Sequence, residues 1–325
     1  MQHSNEIRRY ILENCKVVKL VQLPKKVFKD ATVETTIFVL TKEPSEEKRD
    51  NNNIIVERLE ENGAISFVKE FSQFQIKNNH LYNFELYSEL PANKILNKVK
   101  QKGKRLGGLV NFFYGLKTGD DKKFISDEQK NREYKKLLRS KEIKRYSKKF
   151  ERKYVWYLPE LMIKNKKTAR PGDRERFETE KIIVARMGKQ VVAAHDDENY
   201  YVKDGMLLLK KSELTDLCYI TGVLNSKLIN YYYKNYFITI DVLKNAILEL
   251  PVAVADENTK SKIVELVKRI EGLNERLNEI GDKKTDERRK IEEDIEKTDA
   301  DIDELVYKLY GITEEEKKII EESSK

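Results

Sequence analysis

The spacing of apolar residues near the C-terminal end constrains this chain more than any other feature. Over Lys260–Ile280, residues Ile263, Val267, Ile270, Leu277 and Ile280 recur at intervals of mainly three, four and seven. Over Asp286–Leu309, residues Ile291, Ile295, Ile302, Leu305 and Leu309 do the same. Each set forms one apolar stripe on a charge-dense helix, and Gly281 between them permits the chain to reverse. The pattern predicts an antiparallel helical hairpin with a coiled-coil-like seam. After it, residues 311–325 read as a short acidic helix that frays at the end of the chain.

Upstream the period changes. A short helix is expected over Asn5–Glu13, with Ile7, Tyr10 and Ile11 on one face. Lys16–Leu23 and Val33–Thr41 are β-branched, strand-like runs, and the linker 25–32 is too short for a helical crossover, so the two pair antiparallel. Helix, strand and return strand make a closing edge for an α/β sheet but lack the strands to be a sheet by themselves. Residues 44–53 read as a polar excursion. Ile54–Leu59 and Ala64–Lys69 read as a hairpin around Asn62-Gly63, a strong turn dipeptide. A loop-rich stretch leads to Pro91, followed by a basic helix over Asn93–Lys102. A mixed region then runs to Pro251. Its clearest strands are Lys181–Ala185 and Gly205–Lys210, and its clearest helix is Leu214–Tyr236.

The chain has 325 residues, enough for two domains or one with an extended appendage, and its 39% apolar content suits real cores. No apolar run reaches the roughly 18 residues that cross a bilayer, and Met1–Tyr10 lacks the apolar middle of a signal peptide. Cys15 and Cys218 build no disulfide framework and fit a reducing compartment, so the expected location is cytoplasmic, with no membrane partner. His195 stands beside Asp196 and Asp197, but no second His or Cys is spaced to complete a metal site, and none is expected.

Charge is concentrated. Residues 135–153 hold ten Lys or Arg against two acids, an excess equal to the +8 of the whole chain. Tyr134, Tyr146, Tyr154 and Trp156 interleave or flank these cations. One reading is a DNA-contacting segment, since Lys and Arg neutralise phosphates and aromatics stack on bases. The other is a solvated helix face and edge strand with the aromatics in the core. The loop Gly115-Leu116-Lys117-Thr118-Gly119-Asp120 departs from the spacing of a nucleotide phosphate loop, yet its amides, Lys117 and Thr118 suit a DNA phosphate. Arg186, Gly188 and Lys189 form a third basic loop at a strand end. At least one of Tyr231, Tyr232 and Tyr233 must face a core. No F-x-G-x-G loop, N-P-P-Y tetrapeptide or convincing nuclease constellation appears.

The order of the segments IRRYILENCKVVKLVQLPKKVFKDATVETTIFVLTKE, GLKTGDDKKFI, LLRSKEIKRY, KIIVARMGKQ, YITGVLNSKLINYYYK and DIDELVYKLYGITEEE resembles the C-terminal part of adenine-specific DNA methyltransferases of the TaqI-like and Type IIG restriction-modification families. The resemblance spans nearly the whole chain. It implies an α+β chain in which 1–43 is a remnant edge of a Rossmann-like methyltransferase sheet and 44–108 is a connecting α/β region. Residues 109–255 would be a mixed α/β target recognition domain, and 256–325 a helical hairpin bracing it. The carried-over DNA-binding positions are Lys117, Thr118 and Gly119 in the opening loop and Arg139, Lys141, Lys144, Arg145 and Tyr146 in the L-L-R-G-R-D-I-like segment. Lys148, Lys149, Arg186 and Lys189 join them as basic neighbours. Ser140 and Lys141 replace the family's usual glycine and arginine. Asn225 and Ser226 match its L-N-S helix start in a structural role.

In that family S-adenosylmethionine and the methylation motif belong to segments upstream of this stretch. Met1 is therefore expected to mark a shortened reading frame, a split gene or a deliberately cut piece. The fragment is expected to bind no cofactor and to be inactive alone. The expected partner is double-stranded DNA. The rival reading is an adaptor in which the hairpin docks on a separate methyltransferase or nuclease chain and the sheet edge 16–41 completes that partner's sheet. A third is an intact enzyme of unrecognised type.

Overall fold

The computed structural model describes residues 3–24, 27, 35–60, 62–78, 82, 84, 90–187, 190–211, 216–237, 244–282 and 284–323. The chain is α+β and divides into two units, Met1–Ser88 and Glu89–Lys325. The division differs from the boundaries expected at 43/44 and 108/109. The first of these falls between strands of one sheet.

In the first unit, α1 (His3–Asn14) runs directly into β1 (Cys15–Gln22), and β2 (Thr36–Lys42) returns beside it. Then come α2 (Glu46–Asp50), β3 (Asn53–Leu59), β4 (Ile65–Ser72) and α3 (Gln73–Lys77). The sheet order is β2-β1-β3-β4, with β1 antiparallel to β2, parallel to β3, and β3 antiparallel to β4. The helix, strand and return strand therefore do belong to a sheet within this chain, because the hairpin at Gly63 (φ +83°) supplies its other two strands. Leu12, Val17, Leu20, Ile54, Val56, Ile76 and Phe84 form its core. Gln73 ties α3 to β1: its side chain accepts the Val17 N–H at 3.0 Å and donates to the Cys15 carbonyl at 2.7 Å.

Two expectations are corrected in this unit. The polar excursion contains a helical turn, α2, because Ser45 caps it by accepting the Lys48 N–H at 3.3 Å. The face of α1 built on Ile7 and Tyr10 is solvent-exposed, and the helix packs through Leu12 and Ile11 instead.

The second unit opens with α4 (Leu90–Lys102), which carries Pro91 in its first turn, where the missing N–H has no helical partner to lose. It continues through β5 (Gly103–Arg105), β6 (Val110–Tyr114), α5 (Asp121–Phe124), β7 (Ile125–Ser126), β8 (Tyr134–Leu138), β9 (Ile143–Lys144), β10 (Ser147–Lys148), β11 (Tyr154–Trp156) and α6 (Pro159–Asn165). Next are β12 (Lys181–Met187), β13 (Gln190–Asp196), β14 (Tyr201–Val202), β15 (Leu207–Lys211), α7 (Leu217–Asn225), α8 (Lys227–Tyr236), α9 (Lys244–Leu248) and β16 (Pro251–Ala253). The chain closes with α10 (Glu257–Ile280), α11 (Asp286–Tyr310) and α12 (Glu314–Glu322).

The centre is the antiparallel sheet β13-β12-β15-β6, buried on both faces. Because strand side chains alternate, Ile182, Val184, Val191, Ala193, Leu207 and Leu209 meet the helices. Ile183, Ala185, Val192, Ala194 and Leu208 meet a second core. That second core is shared with the sheet β14-β8-β11-β7.

The stretch expected as one helix, 214–236, is two. Ser226 adopts an extended conformation (φ −60°, ψ 149°), ends α7 and caps α8 by accepting the Ile229 N–H at 3.3 Å. The expected helical hairpin is present as α10 and α11, but its apolar positions do not serve a two-helix seam alone. Ile263, Val267, Ile270, Ile302 and Val306 join the core that includes α4, α7 and α8. A Cβ on Gly222 of α7 would stand 2.7 Å from the Ile263 Cγ2 atom, so the helices touch closely there. The acidic tail is anchored rather than frayed. Thr313 and Glu316 form a capping box, Ile320 is buried, and Lys98 holds Glu316 at 2.6 Å.

Candidate nucleic-acid interface

The loop from Gly115 to Gly119 is pinned to the end of β14. Leu116 donates its N–H to the Val202 carbonyl at 2.7 Å and accepts the Asp204 N–H at 2.8 Å. A Cβ at position 115 would overlap the Lys203 carbonyl, which explains the glycine. Lys117 exchanges two backbone hydrogen bonds with Arg170, leaving its side chain exposed. The Thr118 hydroxyl is buried and donates to Asp121 at 2.5 Å, and Asp121 also pairs with Lys203. Gly119 has φ +79°, a conformation that favours glycine. With the Gly115 N–H donated to the Met206 carbonyl at 3.2 Å, three of the loop's amides and its hydroxyl are spent internally, and Lys117 is the group it presents to solvent.

Val202–Lys203 also bonds to β8: the Lys203 N–H donates to Leu138 at 2.9 Å. The loop and the start of the basic segment therefore flank one short strand, although they are distant in sequence. Beyond β8 the cations divide into two groups. Arg139 donates to Glu142 at 2.7 Å and Glu151 at 2.9 Å, neutralising a Glu142 carboxylate that is wholly buried. Lys141 is exposed and pairs with Glu151 at 2.6 Å. Arg145 grips both oxygens of Asp299 on α11 at 2.7 Å. Lys148 lies 3.0 Å from Glu198 and donates to the His195 carbonyl at 3.2 Å. Lys153 pairs with Asp127.

By contrast Lys136, Lys144, Lys149 and Arg152 are exposed and have no acidic partner within 4.0 Å among the described residues. Lys136 lies over the Phe150 and Tyr200 rings, 5.7 and 5.5 Å from their centroids. The sequence excess of +8 is therefore not a patch of that charge, because Glu178, Glu198, Asp127 and Asp299 fold back onto it.

Tyr146 sits in a left-handed turn (φ +55°), is buried, and donates its backbone N–H to Ala193 at 3.0 Å. Tyr134 is buried and stacks on Trp156. These aromatics fill the domain's own core. Arg186 is the last residue but one of β12, and Gly188 and Lys189 lie outside the described residues. Tyr231, Tyr232 and Tyr233 are all buried.

The outward edge of β13 is satisfied by side chains. Asn225, fully buried, accepts the Ala193 N–H at 2.9 Å and donates to its carbonyl at 2.8 Å, while Asn230 accepts the Val191 N–H at 2.8 Å. The L-N-S match thus has a structural role. The fold also brings His195 of β13 to Cys218 of α7 and Glu271 of α10, their ligand atoms all within 4.8 Å of one another. Sequence spacing offered His195 no co-ligand. Burial pushes the Glu271 carboxyl up to about 7 and the Cys218 thiol up to about 12.

Residues 135–252 match the family model described as the TaqI-like C-terminal specificity domain, and residues 2–91 match that of the N-6 DNA methylases. Over 135–252 the chain is thus similar to a TaqI-like specificity domain. Arg139 through Lys149 lie inside the match, whereas Lys117, Thr118 and Gly119 precede it.

Among solved structures, the chain is similar to the type IIG restriction endonuclease BpuSI, with 10% identity and a TM-score of 0.41 over 96% of this chain and 46% of that one. It is similar to the type IIL restriction-modification enzyme MmeI, solved in complex with DNA, with 11% identity and a TM-score of 0.49 over 92% and 44%. It is also similar to the HsdS subunit from Thermoanaerobacter tengcongensis, with 10% identity and a TM-score of 0.35 over 69% and 51%. The chain thus spans less than half the length of the first two. No curated protein matches the chain.

S-adenosylmethionine, which the methylase family implies, needs a glycine-rich loop at a strand end. Gly63 is the only glycine in residues 1–88 and serves the β3–β4 turn.

Proposed function

We propose that this chain recognises double-stranded DNA as the specificity part of a restriction-modification adenine methyltransferase or endonuclease. The match of 135–252 to a specificity domain carries the reading. The cations left facing solvent on the 115–119 loop and around β9 and β10 support it. Lys117, Lys141, Lys144 and Lys149 position phosphates. Arg139, Arg145, Tyr146 and Lys148 shape the segment that holds them, and Arg186 and Lys189 add charge at the β12–β13 end. Recognition belongs to 109–255, with 256–325 as its brace, and two free cysteines suit a cytoplasmic site of action.

Duplex binding followed by fluorescence anisotropy tests this. Four phosphate contacts give a log–log salt slope near −3.6, so affinity falls roughly a hundredfold between about 50 and 200 mM salt. Folded protein that binds no duplex at low salt would sink the reading.

A second reading has its own observation. β2 is an edge strand, and Ile37, Phe38, Val39 and Leu40 on it are all exposed. An apolar open edge suits strand addition by a separate methyltransferase chain. Co-purification with such a chain would support it. A stable solitary monomer in the presence of that chain would count against it.

A further inference from the structure

Alternation along β13 sends its odd-numbered residues toward the helices, as Val191 and Ala193 show by joining the helical core. His195 follows them and meets Cys218, at the start of α7, and Glu271, one turn beyond Val267 on the buried stripe of α10. His195 Nε2 lies 2.9 Å from Glu180 Oε1, a carboxylate partner that favours the tautomer protonated at Nε2. That tautomer leaves the Nδ1 lone pair facing Glu271 Oε1 across 3.8 Å, too far for a hydrogen bond. Among the described residues, Glu271 Oε1 is itself buried with no hydrogen-bond partner. Two acceptors turned toward each other in a buried place call for a proton or a metal ion between them. Cys218 supplies the third donor, and all three ligand atoms lie within 4.8 Å of one another.

We infer that His195 Nδ1, Cys218 Sγ and Glu271 Oε1 form a zinc site that fastens the central sheet to α7 and α10. Nitrogen, sulfur and oxygen donors together suit zinc, whose bonds of about 2.0–2.3 Å place neighbouring donors roughly 3.3–3.7 Å apart. Closing the triangle takes side-chain movements of about an ångström. Glu180 supplies the carboxylate that orients a metal-bound histidine through its other nitrogen. His195 and Glu271 also line a cavity with Lys148 and Glu275, so the fourth coordination position opens to water. The Lys148 charge beside it is answered by Glu198 at 3.0 Å.

The experiment uses the full chain, stripped with a chelator and titrated with cobalt(II) and with zinc. A thiolate-to-cobalt charge-transfer band saturating at one metal per chain is expected. Zinc should raise the thermal midpoint, and chelator should reverse the rise. Cys218→Ser should abolish the band. Glu180→Gln, at a half-exposed position outside the donor set, should weaken binding about 10–100-fold. Should Cys218→Ser fail to fold, the wild-type spectrum and Glu180→Gln still decide. Folded wild-type protein with neither band nor zinc-dependent shift would overturn the proposal, and would mean that a proton on His195 bridges the two carboxylates. Unchanged cobalt binding in Glu180→Gln and Glu271→Gln would overturn it as well.

Discussion

At position 144 the chain presents an ammonium group to solvent. At the next residue the Arg145 guanidinium turns inward and holds both oxygens of Asp299 at 2.7 Å. Adjacent cations in one basic run therefore have different duties, and substitution separates them. Lys144→Ala should leave stability within about 0.5 kcal/mol, weaken duplex binding and reduce the salt slope by about 1. Arg145→Ala removes a charge-assisted contact, one guanidinium nitrogen shared between both oxygens of Asp299, whose partners are about 30% and 23% exposed. It should cost about 2 kcal/mol in urea unfolding, a figure between an exposed pair and a buried one. Equal stability loss in both variants would contradict this division. Nothing in the sequence distinguished the two residues, because Asp299 is brought to Arg145 by the hairpin. Glu142 and Glu151 were the visible signal: two acids inside a run of cations are the partners of Arg139 and Lys141.

Strands and helices were easier to read than the contacts between them. Hydrophobic period identified β1, β3, β4, β12, β15, α10 and α11, since each buries one face or both against a core. It failed at α7 and α8, where apolar residues continue through Ser226 while the backbone breaks. The break positions Asn225 to complete the edge of β13, a duty invisible in a local pattern. Asn225→Ala leaves the buried Ala193 N–H without an acceptor, while the Ala193 carbonyl keeps the Tyr146 N–H. The expected loss is about 1–3 kcal/mol, measurable by chemical denaturation, with faster hydrogen exchange at Ala193. Asn225→Asp restores an acceptor but not the donor and should fall between.

The second unit has one helical core to which the hairpin contributes Ile263, Val267, Ile270, Ile302, Val306, Tyr307 and Tyr310. Tyr310 also donates to the Pro251 carbonyl at 2.6 Å and accepts the Ala253 N–H at 2.9 Å. A chain ending at 255 would expose that core and leave these backbone groups to water. Residues 89–325 should unfold in one cooperative transition, and residues 89–255 should show none by calorimetry or near-UV circular dichroism. A sharp transition in the shorter piece would show that the hairpin is an appendage. The hairpin itself was legible from heptad-like spacing, but its docking was not, because a stripe does not name the surface it covers.

The central sheet that is buried on both faces carries a consequence for how such a domain can change length. Over Ile182–Ala185 of β12 and Val191–Ala194 of β13, successive residues belong alternately to one core and the other. Inserting or deleting a single residue in either strand would send every following side chain into the wrong core. The two strands therefore act as a ruler whose length is fixed. Changes of chain length are expected in segments outside the ladder.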